Sequence, residues 1–196
     1  GLMQQAAVFD CKVMQGELDH LTLLLHGDGE VTRVQGDAVL AWNIEPGANA
    51  GERRLVVRFN EAQKNQFKLL VQTQTPLGAF PQTAEAMQLQ PEGATRFAGY
   101  FRIVNEGAVR LEVVQARGLS QVSPEQFPET DETKEAFRAG GAQRFVYRFS
   151  GADFALRIQA DQILPEVTVS ELFAYHLGET EQSIDAEIEL DIREAP

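Results

Sequence analysis

The chain has 196 residues, enough for one large β domain or two small ones that bury roughly 70% of the extended-chain surface. Its 17 Lys and Arg stand against 29 Asp and Glu, and the net charge of −12 repels phosphate backbones and anionic lipid surfaces, so nucleic acid is not an expected partner. One cysteine excludes an internal disulfide and a Cys-based zinc site, and no run approaches the roughly 18 apolar residues of a membrane span, so no direct membrane insertion is expected of this segment.

The start, GLMQQ, lacks the basic and apolar regions of a signal peptide, and Gly1 in place of an initiator Met reads as a trimmed chain. Cys11 follows in AAVFDCKVM, with no basic or helix-start context to lower its pKa; a half-buried strand residue is expected there, not a reactive thiol. From there a period of two recurs. Leu21, Leu23 and Leu25 alternate, then Leu40, Trp42 and Ile44, then Leu55, Val57 and Phe59, then Phe67, Leu69 and Val71. In the second half the same holds for Phe101 and Ile103, for Val109, Leu111 and Val113, for Phe145, Tyr147 and Phe149, and for Phe154, Leu156 and Ile158. Gly, Asp, Asn and Pro clusters such as HGDGE, EPGANAGE and SGAD punctuate these runs. The pattern predicts an all-β, antiparallel β-sandwich of immunoglobulin-like character with about twelve strands. Its apolar parity should be inward, which puts Trp42, Phe59, Phe149 and Leu156 in the core.

One stretch breaks the alternation. Ser123, Pro124 and Gln126 have the form of a capped first turn, and acids from Asp131 with Gly140-Gly141 as a stop suggest a second helical piece to Ala139, so a short helical insertion is expected near 123–139. At the end, SIDAEIELDIREAP puts Ile184, Ala186, Ile188, Leu190 and Ile192 on one face of a strand and Asp185, Glu187, Glu189 and Asp191 on the other. Carboxylates on one strand face stand about 6.6 Å apart at the backbone, whereas calcium gathers six to eight oxygens at 2.3–2.6 Å; the row therefore reads as a solvated face, with those four acids and nearby His176 as the candidate binding residues. Charge is concentrated here: residues 171–196 hold eight acidic groups and one Arg.

GERRLVVRF at 51–59 and GAQRFVYRF at 141–149 share five residues in register; FKLLVQ at 67–72 and FALRIQ at 154–159 follow each, and VTRVQ at 31–35 precedes the first as LEVVQ at 111–115 precedes the second. The order of matches predicts two related halves, 1–90 and 91–196, with 51–72 and 141–159 as equivalent antiparallel hairpins; one continuous sandwich over 1–196 is the alternative.

Catalytic patterns are missing. GLSQV lacks the second Gly of a nucleophile elbow, there is no HExxH, P-loop or EF-hand loop, and His20 and His26 are roughly 20 Å apart in an extended strand. No catalytic residue, metal or cofactor is implied, and no enzyme activity is expected. The stretches EVTRVQGDAVLAW, GATRFAGYF, QARGLSQVSPEQFP and FVYRFSGADFALRIQADQILPEV, spanning most of residues 30–167, resemble the β-rich regions of large uncharacterised bacterial cell-envelope proteins. That resemblance implies a periplasmic or cell-surface segment of a longer polypeptide, a non-catalytic structural or protein-interaction module whose partners are other proteins or neighbouring domains. A carbohydrate-binding or carbohydrate-processing domain is the alternative, and it would show exposed aromatics beside two carboxyl groups about 5–9.5 Å apart.

Overall fold

The structure, a computed structural model, describes residues 1–49, 51–105, 109–131, 134, 143–163 and 166–193. Among them the alternating stretches form fifteen strands: β1 (Leu2–Lys12), β2 (Leu18–His26), β3 (Glu30–Gln35), β4 (Val39–Pro46), β5 (Arg53–Gln63), β6 (Gln66–Pro76), β7 (Gln82–Glu85), β8 (Gln88–Pro91), β9 (Ala98–Asn105), β10 (Val109–Arg117), β11 (Leu119–Val122), β12 (Gln143–Ser150), β13 (Ala155–Gln162), β14 (Glu166–Leu177) and β15 (Gln182–Arg193). The chain is all-β, as its periodicity predicts. Three strands exceed the expected twelve because β7, β8 and β11 have four residues each, too few to display alternation.

Pairing is antiparallel throughout, in the sheets β1-β6-β3, β4-β5-β2-β8, β10-β13-β7 and β11-β12-β9 and the ribbon β14-β15. Leu21, Leu23 and Leu25 of β2 and Leu55, Val57 and Phe59 of β5 meet Phe9 of β1, Val31 and Val34 of β3 and Leu69 and Val71 of β6 in one buried cluster, so the first two sheets face each other. Each such side chain contributes about 1.5–3 kcal/mol when fully buried. A second cluster is built on the rings of Phe97, Phe101, Phe149 and Phe154, and Leu111 of β10, Tyr147 of β12 and Leu156 and Ala160 of β13 are buried as well. Its centre is aromatic: the Phe149 ring lies 4.7 Å from Phe154, 5.4 Å from Phe101 and 5.1 Å from Phe97.

The strand neighbours repeat. β5 lies between β4 and β2 as β12 lies between β11 and β9, and β6 lies between β1 and β3 as β13 lies between β7 and β10. Registers repeat too. Val31 faces Thr73 and Gln35 faces Leu70, while Leu111 faces Ala160 and Gln115 faces Arg157, with one bulge inside each pair of contacts. In the other sheets Leu21–Val57 and Leu23–Leu55 correspond to Phe101–Tyr147 and Ile103–Phe145, and Val39–Phe59 to Leu119–Phe149. Glycine occupies both corresponding corners: a Cβ on Gly36 or Gly118 would meet the carbonyl of Lys68 or Asp153, so neither corner accommodates a side chain.

Three expectations need correction. Residues 51–72 and 141–159 are not hairpins; β5 and β6 lie in opposite sheets, as do β12 and β13, because each connection crosses the core. Trp42 has the inward parity but is 37% exposed, since β4 is the outer strand of a four-stranded sheet facing a three-stranded one, and only Val39 of β4 packs against the core. In the insertion, Pro124–Gln126 form a single 3-10 turn, and the Ser123 hydroxyl bonds the Glu125 carboxylate in place of a backbone N–H. The Lys134 amide donates to the Thr130 carbonyl at 3.0 Å, and the rest of the expected helix to Ala139 lies outside the described residues. Phe127 lies edge-on to Tyr100 with centroids 6.5 Å apart and lies under the Arg102 guanidinium at 4.6 Å, so the insertion covers the outer face of β9.

Truncating Phe149 removes the hub of the second cluster, and Phe149→Ala should cost about 3–5 kcal/mol in urea unfolding. Trp42→Ala, at a half-exposed edge position, should cost well under half of that; equal losses would contradict the packing described.

Candidate functional site

Two surfaces combine chemical groups. β15 carries Asp185, Glu187, Glu189 and Asp191 on one face, and every residue of the strand is exposed. In the ribbon register Asp185 faces Ala174, Glu187 faces Leu172, Glu189 faces Ser170 and Asp191 faces Thr168. Among the described residues only the ends of the row find cations. His176 Nε2 lies 3.1 Å from Asp185 Oδ2, and Arg193 places Nη2 2.9 Å from Asp191 Oδ2. Glu187 and Glu189 stand between them opposite uncharged residues, so the structure brings His176 to one of the four acids and converges none of the acids on a point. Among the described residues no three His, Cys, Asp or Glu side chains are grouped to hold a metal ion. The exposed pairs contribute about 0–1 kcal/mol each.

The second surface was not legible in the sequence. On the outer face of the sheet β4-β5-β2, an open cleft of about 530 Å³ is lined by Asp19, His20, Thr22, Glu45, Arg54 and Arg58, among others. Outward parity on three strands puts these residues together, although they are far apart along the chain. Asp19 Oδ1 lies 2.5 Å from His20 Nδ1, and the hydrogen bond from His20 holds the Asp19 carboxyl below the usual carboxylate range. Arg54 reaches Glu92 at 3.3 Å, while its Nε is buried without a hydrogen-bond partner. A His–Asp pair becomes an activated base for nucleophilic chemistry only when the imidazole also engages a hydroxyl or thiol. The His20 ring bonds the Asp19 carboxylate, and the cleft lining sets this pair beside the Thr22 hydroxyl, Glu45 and two arginines.

Of the exposed aromatics, Trp42 lies on β4 and Tyr100 on β9, in different sheets, while Phe173 and Tyr175 share one face of β14. Cys11 is half-buried on β1, and burial, reinforced by the neighbouring Asp10 charge, pushes its thiol from 9.0 up to about 11. Among the described residues no helix is long and apolar enough to cross a membrane. No protein-family model matches the chain, and no curated protein or solved structure matches it.

Millimolar calcium should leave the melting temperature of this chain unchanged, and Glu187→Gln with Glu189→Gln should not alter that result. A real site at a hundred times its dissociation constant would add about 2.7 kcal/mol, several degrees by calorimetry. The Cys11 thiol supplies a second check: a rise from 9.0 to about 11 lowers the thiolate fraction at pH 8 roughly a hundredfold. Reaction with a disulfide reagent should therefore be slow at pH 8 and accelerate only as pH climbs toward the raised value; fast labelling at pH 8 would contradict the burial of this group.

Proposed function

We propose that this chain is a non-catalytic structural or protein-interaction segment of a larger bacterial envelope polypeptide, built from duplicated immunoglobulin-like six-strand units joined in series. The observation that carries the reading is the exchange of strands in the link. β7 precedes β8 in the chain, yet β7 pairs with β13 of the second set of sheets and β8 pairs back onto β2 of the first. Met87, between them, is 1% exposed within the first core. The link is also held by hydrogen bonds from both sides: Gln5 Nε2 donates to the Met87 carbonyl at 2.8 Å, and Gln88 Nε2 donates to the Phe154 carbonyl at 2.6 Å. Phe97 packs against the first core and meets Phe149 of the second edge-on.

Such a link resists bending, because moving one set of sheets relative to the other breaks strand pairing and uncovers apolar surface. A domain linker of low contact would leave the two sets free to rotate. The periplasmic or cell-surface location comes from the resemblance of residues 30–167 to envelope proteins, and the internal duplication from the shared neighbours and registers. Trp42 and Tyr100 stand on separate sheets, and Phe173 with Tyr175 lies on the face of the ribbon opposite the carboxylates of β15, which favours this reading over carbohydrate binding.

Coupling through the link is measurable. Met87→Ala should cost about 2–5 kcal/mol and should lower protection in both sets of sheets, read by Trp42 fluorescence for the first and by hydrogen exchange of β12 and β13 for the second. Destabilisation confined to β1–β6, with β12 and β13 unaffected, would sink the claim that the link joins the units rigidly.

A further inference from the structure

The ribbon β14-β15 is the one element whose apolar face nothing covers among the described residues. Directly opposed residues share a face, so Val167, Val169, Phe173 and Tyr175 of β14 stand beside Ile192, Leu190, Ala186 and Ile184 of β15, with Ile188 opposite Glu171. These large side chains are 48–66% exposed, with Phe173 the least exposed and Tyr175 the most. A lone two-stranded ribbon is marginal in water, and an apolar patch this continuous marks a contact surface.

The chain itself indicates what covers it. From β7 to β9 the sequence is echoed 85 residues further on: Thr83 by Thr168, Met87 by Leu172, Gly93 by Gly178, Thr95 by Thr180 and Ile103 by Ile188. The inward parity follows the same spacing. Gln82 and Ala84, which face the second core from β7, correspond to Val167 and Val169; Gly99, Phe101 and Ile103 of β9 correspond to Ile184, Ala186 and Ile188. Leu172 is the exception on the acidic face, 65% exposed with no apolar neighbour in its register, and it takes the place of Met87, the link residue buried in the preceding core. An edge matches: β2 carries β8 on its far side, whereas β9, its equivalent, ends its sheet among the described residues.

We propose that β14 and β15 are the opening strands of a third copy of the six-strand unit, and that strands of β10 to β13 type continuing the same polypeptide complete a core around their apolar side chains, the pairing of β14 with β15 giving way to pairing in two opposite sheets. In the completed copy β14 and β15 join opposite sheets, as β1 and β2 do and as β7 and β9 do, with Val167, Val169, Ile184 and Ile188 facing each other across a core. The stretch around Leu172 then caps the free edge of β9 as β8 caps β2. This rests on the duplicated-unit reading above. Its test reads the ribbon, while that reading stands or falls on coupling between β1–β6 and β12–β13, so the two can fail separately.

The experiment extends the full chain after Arg193 with a second copy of its own residues 109–162, and in a parallel version with residues 29–76, so that one poorly fitting set of strands does not decide the matter. The expected result with at least one extension is a severalfold loss of binding to an apolar fluorescent dye and slowed amide exchange in 166–193. In addition, a Val169→Cys, Leu190→Cys disulfide that forms in the 196-residue chain should fail to form in the extended one. Ile188→Asp should abolish the protection. If dye binding and exchange of the ribbon are unchanged by both extensions, the proposal is overturned. It is also overturned if the 196-residue chain already covers the face by pairing with a second copy of itself, seen as a dimer that Ile188→Asp dissociates.

Discussion

A strand with one apolar face is stable in water only when something lies on that face, and the organisation of this protein follows from where that condition is met. In the first four sheets it is met by crossing connections: β5 continues into β6 and β12 into β13 on the opposite side of a core, so that chain neighbours become facing neighbours. The consequence is visible in burial, with Leu23, Leu55, Val57 and Val71 completely buried. β4 meets the condition only in part, because the opposing sheet is one strand narrower. β14 and β15 meet it not at all, and their apolar side chains stay in water.

Parity in the sequence identifies which side of a strand is apolar; it carries no information about whether a partner covers that side. That distinction explains the mixed outcome for inward residues. Phe59, Phe149 and Leu156 lie on central strands and are buried, while Trp42 obeys the same alternation on an edge strand and is not. Ile184 to Ile192 alternate without a fault and are all exposed. The hairpins expected from adjacent repeats failed for a related reason: a short connection brings strand ends together whether the chain turns within a sheet or crosses between sheets, and the two are indistinguishable in residue pattern. The proposed repeat was legible because Gly, Arg, Val, Arg and Phe recur in order around Arg54 and Arg144, whereas the matching strand neighbours and bulges emerge only from strand pairing. Of the candidate residues, the acidic row was legible because four carboxylates share one strand. The cleft around His20 was not, because its lining comes from three strands whose outward faces are set side by side by pairing alone.

Electrostatics and packing divide the protein along its length. Residues 1–98 carry 8 basic and 11 acidic groups and residues 99–196 carry 9 and 18, so net negative charge grows toward the ribbon. The acids of β15 lie on the face opposite its apolar row, and among the described residues only Asp185 and Asp191 of that row have cationic partners. A like-charged row disfavours stacking of that face against its own kind and against other anionic surfaces. The apolar face carries one charge among its opposed residues, Glu171. The ribbon is thus polarised: one side excludes close association and the other invites it, which restricts a partner to a single approach.

Joining units by exchanged strands differs in consequence from joining them by a flexible linker. β7 and β8 are only four residues long, and neither would hold its place by pairing alone. Met87 anchors the segment in one core while the amide of Ala86 bonds the Leu156 carbonyl of the other at 3.1 Å, so each strand is held because its neighbour is held on the opposite side. On the proposed reading, stability of the two sets is coupled through Met87, Phe97 and the side chains of Gln5 and Gln88, each of which donates to a backbone carbonyl. Orientation is set by the same residues, since β7 and β8 are fixed in registers with β13 and β2 and leave little slack between them. A series of such units would form a stiff rod whose direction is determined link by link, with each additional unit buried against strands that the previous one has already placed.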